Sequence, residues 1–87
     1  MGKEIKLIIA DDNRNICQML QSHLQGQEDL NVVGVAYNGL EALELIQTQE
    51  PDLIILDLVM QMHYHIYYNF KLFRKLRWLI YYKLNLL

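Results

Sequence analysis

Short apolar runs alternate with helical patterns, and this alternation constrains the fold more than any other feature of the sequence. Residues 6–10, 30–37 and 53–56 are rich in Ile, Leu and Val, which is typical of buried strands. Residues 14–25 and 40–49 instead carry apolar side chains at helical spacing. The order strand, helix, strand, helix, strand predicts a parallel sheet with right-handed crossovers. The expected fold class is therefore α/β, with a doubly wound sheet.

The ends of both helices are marked in the sequence. The first is predicted from Arg14 to Gln25, because Gly26 follows it. The side chains predicted to face the core from this helix are Ile16, Met19, Leu20, His23 and Leu24. The second is predicted from Leu40 to Gln49, with Asn38 as its N-cap and Pro51 beyond its end. Its predicted inward residues are Ala42, Leu43 and Ile46.

Carboxylates follow two of the predicted strands. Asp11 and Asp12 come after the first strand, and Asp57 ends the third. In a doubly wound sheet of flavodoxin-like order these two strands are neighbours, and ligands bind at the edge formed by their carboxyl ends. The three carboxylates should therefore converge there. Such a group suits Mg²⁺, which would let Asp57 act as a nucleophile toward phosphorus. The alternative to a metal site is that Asp11, Asp12 and Asn13 form only a loop and a helix cap, and that Asp57 is only a polar residue at the end of a strand.

The composition changes at about Met60. Residues 1–60 contain three basic and ten acidic side chains, whereas residues 61–87 contain five basic and no acidic ones. Eight of the nine aromatic residues also lie beyond position 60. We therefore divide the chain into segments 1–60 and 61–87. The change of composition motivates two hypotheses for the second segment: translation in a shifted reading frame of an AT-rich gene, or a truncated gene copy. A helix is one prediction for residues 70–87.

Cysteine content and the N-terminus bear on location. The single cysteine, Cys17, excludes an internal disulfide and fits a reducing compartment. Residues 1–5 carry no apolar signal core. The expected location is the cytoplasm.

Four segments carry a resemblance to a known family. They are Ile-Ile-Ala-Asp-Asp-Asn at 8–13, Val-Gly-Val-Ala-Tyr-Asn-Gly at 33–39, Glu-Ala-Leu at 41–43 and Pro-Asp-Leu-Ile-Ile-Leu-Asp at 51–57. Together they resemble the receiver domain of response regulators. With Gly-Gln-Glu-Asp at 26–29, they are most similar to receivers of the stage-zero sporulation master regulators of endospore-forming bacteria.

The resemblance implies a CheY-like fold and a signalling role rather than an enzyme. Asp57 would accept a phosphoryl group from a histidine of a sensor kinase or histidine phosphotransfer protein. Asp11, Asp12, Asp57 and the backbone carbonyl of Val59 would hold Mg²⁺, and Asn13 would border the site. The module would belong to a transcription regulator of a phosphorelay.

The sequence departs from the receiver pattern after Met60. It lacks the hydroxyl residue that follows strand four, the lysine that follows strand five, and a DNA-binding domain. We therefore expect a truncated receiver with about three of the five strands of this fold. Strand three would then be an exposed edge, open to self-association through that edge or through the tail.

The sequence leaves two alternative functions open. A Mg²⁺-dependent phosphohydrolase would also use Asp57 as its nucleophile, but such sites need a second aspartate where Val59 stands. The basic, aromatic segment 61–87 could instead bind a membrane surface or another protein. Binding that persists without residues 1–60 would favour that alternative.

Overall fold

The computed structural model describes residues 4–57, 60 and 76–81. Four strands and two helices follow one another along the chain: β1 (Ile5–Ala10), α1 (Arg14–Gln25), β2 (Leu30–Ala36), α2 (Gly39–Gln49), β3 (Leu53–Asp57) and β4 (Arg77–Tyr81). All neighbouring strands are parallel, in the order β2-β1-β3-β4. The predicted α/β fold with a central first strand is confirmed. In the part of the chain described, neither helix is long and apolar enough to cross a bilayer.

Asparagine caps begin both helices where the sequence predicts helix starts. The side-chain oxygen of Asn13 accepts a hydrogen bond from the Ile16 amide at 3.1 Å. Asn38 does the same for the Glu41 amide at 2.9 Å, so its predicted capping role is confirmed. These caps set the points where the chain leaves β1 and β2 and enters a helix.

Two hydrophobic layers cover the two faces of the sheet. The α1-side core contains Leu7, Ile9, Cys17, Val32 and Ile55. The α2-side core contains Ile8, Ala10, Ala36, Ala42, Ile46, Ile54, Leu56, Met60 and Leu76. Side chains of β1 and β3 alternate between the layers, as a sheet covered on both faces requires. The sheet is therefore wound with one helix on each side.

The buried stripe of α1 differs from the predicted one. Met19 is 62% exposed and His23 is also exposed, whereas Cys17 is 1% exposed. The stripe that packs on the sheet consists of Cys17, Leu20 and Leu24, at spacings of three and four residues. Because Met19 lies two positions from Cys17, it projects on the opposite side of the helix. The predicted inward positions of Met19 and His23 are therefore wrong.

Strand β2 contains one extra residue relative to β1. Leu7 lies beside Val32, but the next residue, Ile8, lies beside Gly34, so Val33 forms a bulge. Val33 packs on the α2-side core, and Gly34 faces the same helix. A Cβ atom at Gly34 would lie 2.7 Å from Leu45 Cδ2, so glycine here permits the close approach of α2.

Strand β4 corrects two predictions about the tail. Residues 77–81 form a parallel strand beside β3 rather than part of a helix, and β3 is therefore not an edge. The Arg77 amide donates to the Asp52 carbonyl at 3.0 Å, and Leu76 is buried in the α2-side core. A strand is favoured here because β3 would otherwise leave a row of backbone groups unpaired. The helix predicted for the remaining tail residues lies outside the described residues.

Candidate functional site

Three carboxylates converge at the carboxyl-terminal edge of the sheet. Asp11 and Asp12 follow β1, Asp57 ends β3, and the two strands are paired as far as Ala10 and Leu56. One carboxylate oxygen from each of the three side chains lies within 4.8 Å of the other two. The predicted convergence of these residues is confirmed.

Asp11 is held by bonds from three directions. Its Oδ1 accepts from the Asn13 amide at 2.9 Å, and its own amide donates to the Ala36 carbonyl at 3.0 Å. The Cys17 thiol donates to the Asp11 carbonyl at 3.2 Å. These contacts tie Asp11 to the end of β2 and to the first turn of α1. Its carboxylate is therefore fixed relative to the strand ends.

The three carboxylates differ in exposure. Asp11 is 0% and Asp57 2% exposed, whereas Asp12 faces solvent. Two ionised carboxylates at this spacing repel each other by on the order of 3 kcal/mol at an effective dielectric constant of 20. A bound cation would remove this repulsion, and it could enter from the side of Asp12. The cluster thus consists of two buried carboxylates and one carboxylate that faces solvent.

The donor set fits a hard divalent cation. Every candidate ligand in the cluster is a carboxylate oxygen, which Mg²⁺ prefers to nitrogen or sulfur. Mg²⁺ retains several waters when it binds proteins, and the solvent-facing position of Asp12 leaves room for them. The residues present are therefore those that could hold Mg²⁺.

The sequence also predicts that Asn13 borders the site and that the Val59 carbonyl is a ligand. Asn13 does border the cluster, since its amide contacts the Asp11 carboxylate while its side chain caps α1. Val59 lies outside the described residues, so its carbonyl remains a predicted ligand. The residues that directly follow β4, where the family places a hydroxyl group, are also outside the described part.

One contact at the same edge of the sheet was not predicted from the sequence. The guanidinium carbon of Arg14 lies 4.0 Å from the centroid of the Tyr37 ring. Arg14 begins α1 and Tyr37 follows β2. Two signals could have suggested it, namely an arginine directly after Asp-Asp-Asn, and the only aromatic residue before position 60.

The strand order, the helices on opposite faces and the acidic edge define a CheY-like fold. Residues 7–64 match the family model of the response regulator receiver domain, and this chain belongs to that family. Receiver domains are modules of two-component signalling, interact with kinases and phosphotransfer proteins, and bind Mg²⁺ at an acidic pocket.

Solved structures show the same likeness. The signal receiver domain of the response regulator NarL from Mycobacterium tuberculosis is 25% identical, with a TM-score of 0.80 over 93% of this chain and 68% of that one. A chain in the complex of CheA3 P1 domain with CheY6 from R. sphaeroides is 26% identical, with a TM-score of 0.84 over 98% and 68%. The response regulator domain of Thermotoga maritima CheB is 34% identical, with a TM-score of 0.64 over 67% and 43%.

These matches can be compared with the prediction that the resemblance to receiver domains ends at about Met60. The family match continues four residues past Met60, and a structural match over 98% of the chain includes β4. The resemblance in fold therefore extends into the tail, beyond the predicted limit. The division into segments 1–60 and 61–87 remains a prediction.

Proposed function

We propose that this chain is a phosphoacceptor module of a phosphorelay, in which Asp57 accepts a phosphoryl group from a phosphohistidine. The donor would be a sensor kinase or a histidine phosphotransfer protein. The observation that carries this proposal is the position of the buried Asp57 carboxylate within 4.8 Å of Asp11 and Asp12, in a chain of the receiver family.

In the proposed step a carboxylate oxygen of Asp57 attacks the phosphorus atom. The new P–O bond forms as the P–N bond to the imidazole breaks, and the imidazole leaves with that electron pair. The product is an aspartyl phosphate. The backbone of Asp57 lies in β3 beside Tyr81 of β4, so the nucleophile starts from a fixed strand end.

Asp11 and Asp12, with Asp57 and the Val59 carbonyl, are the proposed ligands of Mg²⁺. When bound, the ion supplies positive charge beside the transferring phosphoryl group. The hydrogen bonds to Asp11 keep its carboxylate oriented for this role, because the end of β2 and the start of α1 both hold its backbone.

We further propose that the module derives from a sporulation master regulator and acts in the cytoplasm. The support is the sequence of residues 26–29 and 33–39, which is most similar to that class of receiver. In that setting phosphorylation would control transcription through a DNA-binding domain.

The test uses the 87-residue chain with Mg²⁺ and radiolabelled acetyl phosphate. Wild type should gain about one acid-stable, alkali-labile phosphate per chain, as a single nucleophile requires. Asp57→Asn and removal of Mg²⁺ with EDTA should each abolish labelling. Asp29→Asn, the same change in an exposed turn, is the matched control and should label normally.

Circular dichroism must show that each variant is folded. A folded wild type that gains no label, or an Asp57→Asn variant that does, contradicts the proposal. Release of many phosphates per chain would favour the phosphohydrolase instead.

A further inference from the structure

The contact between Arg14 and Tyr37 involves a tyrosine ring whose position is held by neighbouring residues. Tyr37 is half-buried against the α1-side core, and its amide donates to Glu41 Oε1 at 2.7 Å. The ring is therefore held from both its side chain and its backbone. Arg14 is exposed, and its guanidinium lies over this fixed ring at 4.0 Å.

The pair lies at the same edge of the sheet as the three carboxylates. Arg14 comes two residues after Asp12, and Tyr37 directly follows the β2 residue whose carbonyl binds the Asp11 amide. Lys6 and Arg77 lie near the amino-terminal ends of β1 and β4. Among the lysines and arginines of the described residues, Arg14 alone is therefore at the acidic edge.

Helix stability does not explain an arginine at this position. A cation at a helix N-terminus opposes the helix dipole and typically costs about 0.3–1 kcal/mol. The first turn of α1 contains no acidic residue, whereas the first turn of α2 contains Glu41. An arginine at an unfavourable position in a helix, beside a candidate site, indicates that Arg14 has a functional role.

Stacking on an aromatic ring leaves a guanidinium able to bind an anion. Its face lies on the ring, while its N–H groups point outward in the plane and match phosphate oxygens in a bidentate fork. We propose that Arg14, held by Tyr37, binds the phosphoryl oxygens of the incoming donor and so determines how well anionic donors approach Asp57. This inference rests on the proposed phosphoacceptor function.

The physical need for such a residue follows from the charges. A phosphoryl donor is anionic and must approach three carboxylates that share one small region. A cation at the rim offsets this repulsion before transfer begins. Arg14 takes no part in bond making, so its effect should fall on donor binding rather than on the transfer step.

The experiment measures the initial rate of phosphorylation of the full chain against acetyl phosphate concentration at fixed Mg²⁺. Arg14→Ala should raise the half-saturating concentration about tenfold, as expected for loss of hydrogen bonds to a charged group. The maximal rate should change less than about twofold, because the lost contact binds the donor equally well before and during phosphoryl transfer. Arg14→Lys should be intermediate, since a lysine keeps the charge but not the fork.

Variants of the ring separate positioning from folding. Tyr37→Leu should raise the half-saturating concentration, whereas Tyr37→Phe, which keeps the aromatic face, should match wild type. Arg77→Ala removes an exposed arginine at the opposite edge and should have no effect. Urea unfolding of each variant checks that it is folded.

The outcomes distinguish this inference from the function on which it rests. If wild type is labelled at Asp57 and Arg14→Ala keeps the wild-type half-saturating concentration, the donor-binding role is wrong and the phosphoacceptor function stands. A lower maximal rate with unchanged half-saturation would also overturn the donor-binding role. If folded wild type is not labelled at all, both proposals fail.

Discussion

Asp52 and Lys6 exchange two hydrogen bonds at the amino-terminal edge of the sheet. The Lys6 amide donates to Asp52 Oδ2 at 2.9 Å, and the Asp52 amide donates to the Lys6 carbonyl at 2.7 Å. The Asp52 carbonyl also accepts from the Arg77 amide, so this residue joins β1 and β4 just before β3 begins. The Lys6 ammonium in turn donates to the Gln49 carbonyl at the end of α2.

Replacing Asp52 by alanine should therefore destabilise the fold. The Asp52→Ala variant loses one side-chain acceptor, and we expect the free energy of unfolding to fall by about 1 kcal/mol. Asp52→Asn keeps an acceptor oxygen and should lose less. Urea unfolding measures both, with Glu28→Ala in an exposed turn as the control. A loss in Asp52→Ala no larger than in Glu28→Ala would contradict the linking role.

Glu50 caps α2 in the left-handed conformation, with φ 47° and ψ 58°. A side chain costs roughly 1 kcal/mol in this region, whereas glycine adopts it freely. We expect Glu50→Gly to raise the free energy of unfolding by about 0.5 kcal/mol after the added flexibility of the unfolded chain is counted. Thermal and urea unfolding provide the measurement.

The same substitution within α2 is the matched control. Glu44 is exposed in the helix interior, so Glu44→Gly should lower the stability by about 1 kcal/mol. The two glycine variants are thus expected to differ in sign. Destabilisation by both would show that the conformation of Glu50 carries no strain.

Gly34 should resist even the smallest enlargement. The added Cβ of Gly34→Ala would lie 2.7 and 2.8 Å from the two methyl carbons of Leu45. Because a leucine side chain can partly rotate away, we expect a loss of about 1 kcal/mol, at the low end for overpacking. In a Leu45→Ala background, Gly34→Ala should lower the free energy of unfolding by a smaller amount. An equal cost in both backgrounds would mean that the strain lies elsewhere.

Mg²⁺ should stabilise the fold through the acidic cluster. At a free concentration about 100 times the dissociation constant, a ligand bound only by the folded state adds about 2.7 kcal/mol to the free energy of unfolding. Asp12→Asn should lose most of this gain. Without Mg²⁺ the same variant should be at least as stable as wild type, because one carboxylate charge is removed from the cluster.

Urea unfolding with and without Mg²⁺ measures these effects, and NaCl at matched ionic strength controls for general screening. Asp29→Asn should keep the full Mg²⁺ effect. Equal stabilisation of the Asp12→Asn variant would place the ion elsewhere.

The features that could be predicted from the sequence are those that local pattern and sheet geometry determine. Runs rich in Ile, Leu and Val indicate the first three strands, and parallel strands must bring Asp11 and Asp57 to one edge. Both asparagine caps follow from short-range hydrogen bonding. For these features each residue's neighbours along the chain carry enough information.

The missed features depend on partners far along the chain. Strand β4 has no distinctive period and is defined by its pairing with β3, more than 20 residues earlier. The burial of Cys17 rather than Met19 depends on how α1 docks on the sheet. The contact between Arg14 and Tyr37 joins the first residue of α1 to the connection between β2 and α2. Such relationships appear only when the elements are assembled.

The bulge at Val33 has a consequence for the acidic edge. Successive residues of a regular strand face opposite sides, but Val33 and Gly34 both face α2, so the residues after the bulge stay in step with β1. With Val33 inserted, Val35 and Tyr37 pack on the α1-side core. A regular strand with the same residues and no bulge would instead turn Tyr37 toward α2, away from Arg14. Deletion of Val33 should therefore restore a regular strand and retain the Arg14–Tyr37 pair, whereas a one-residue insertion between Gly34 and Tyr37 should separate it.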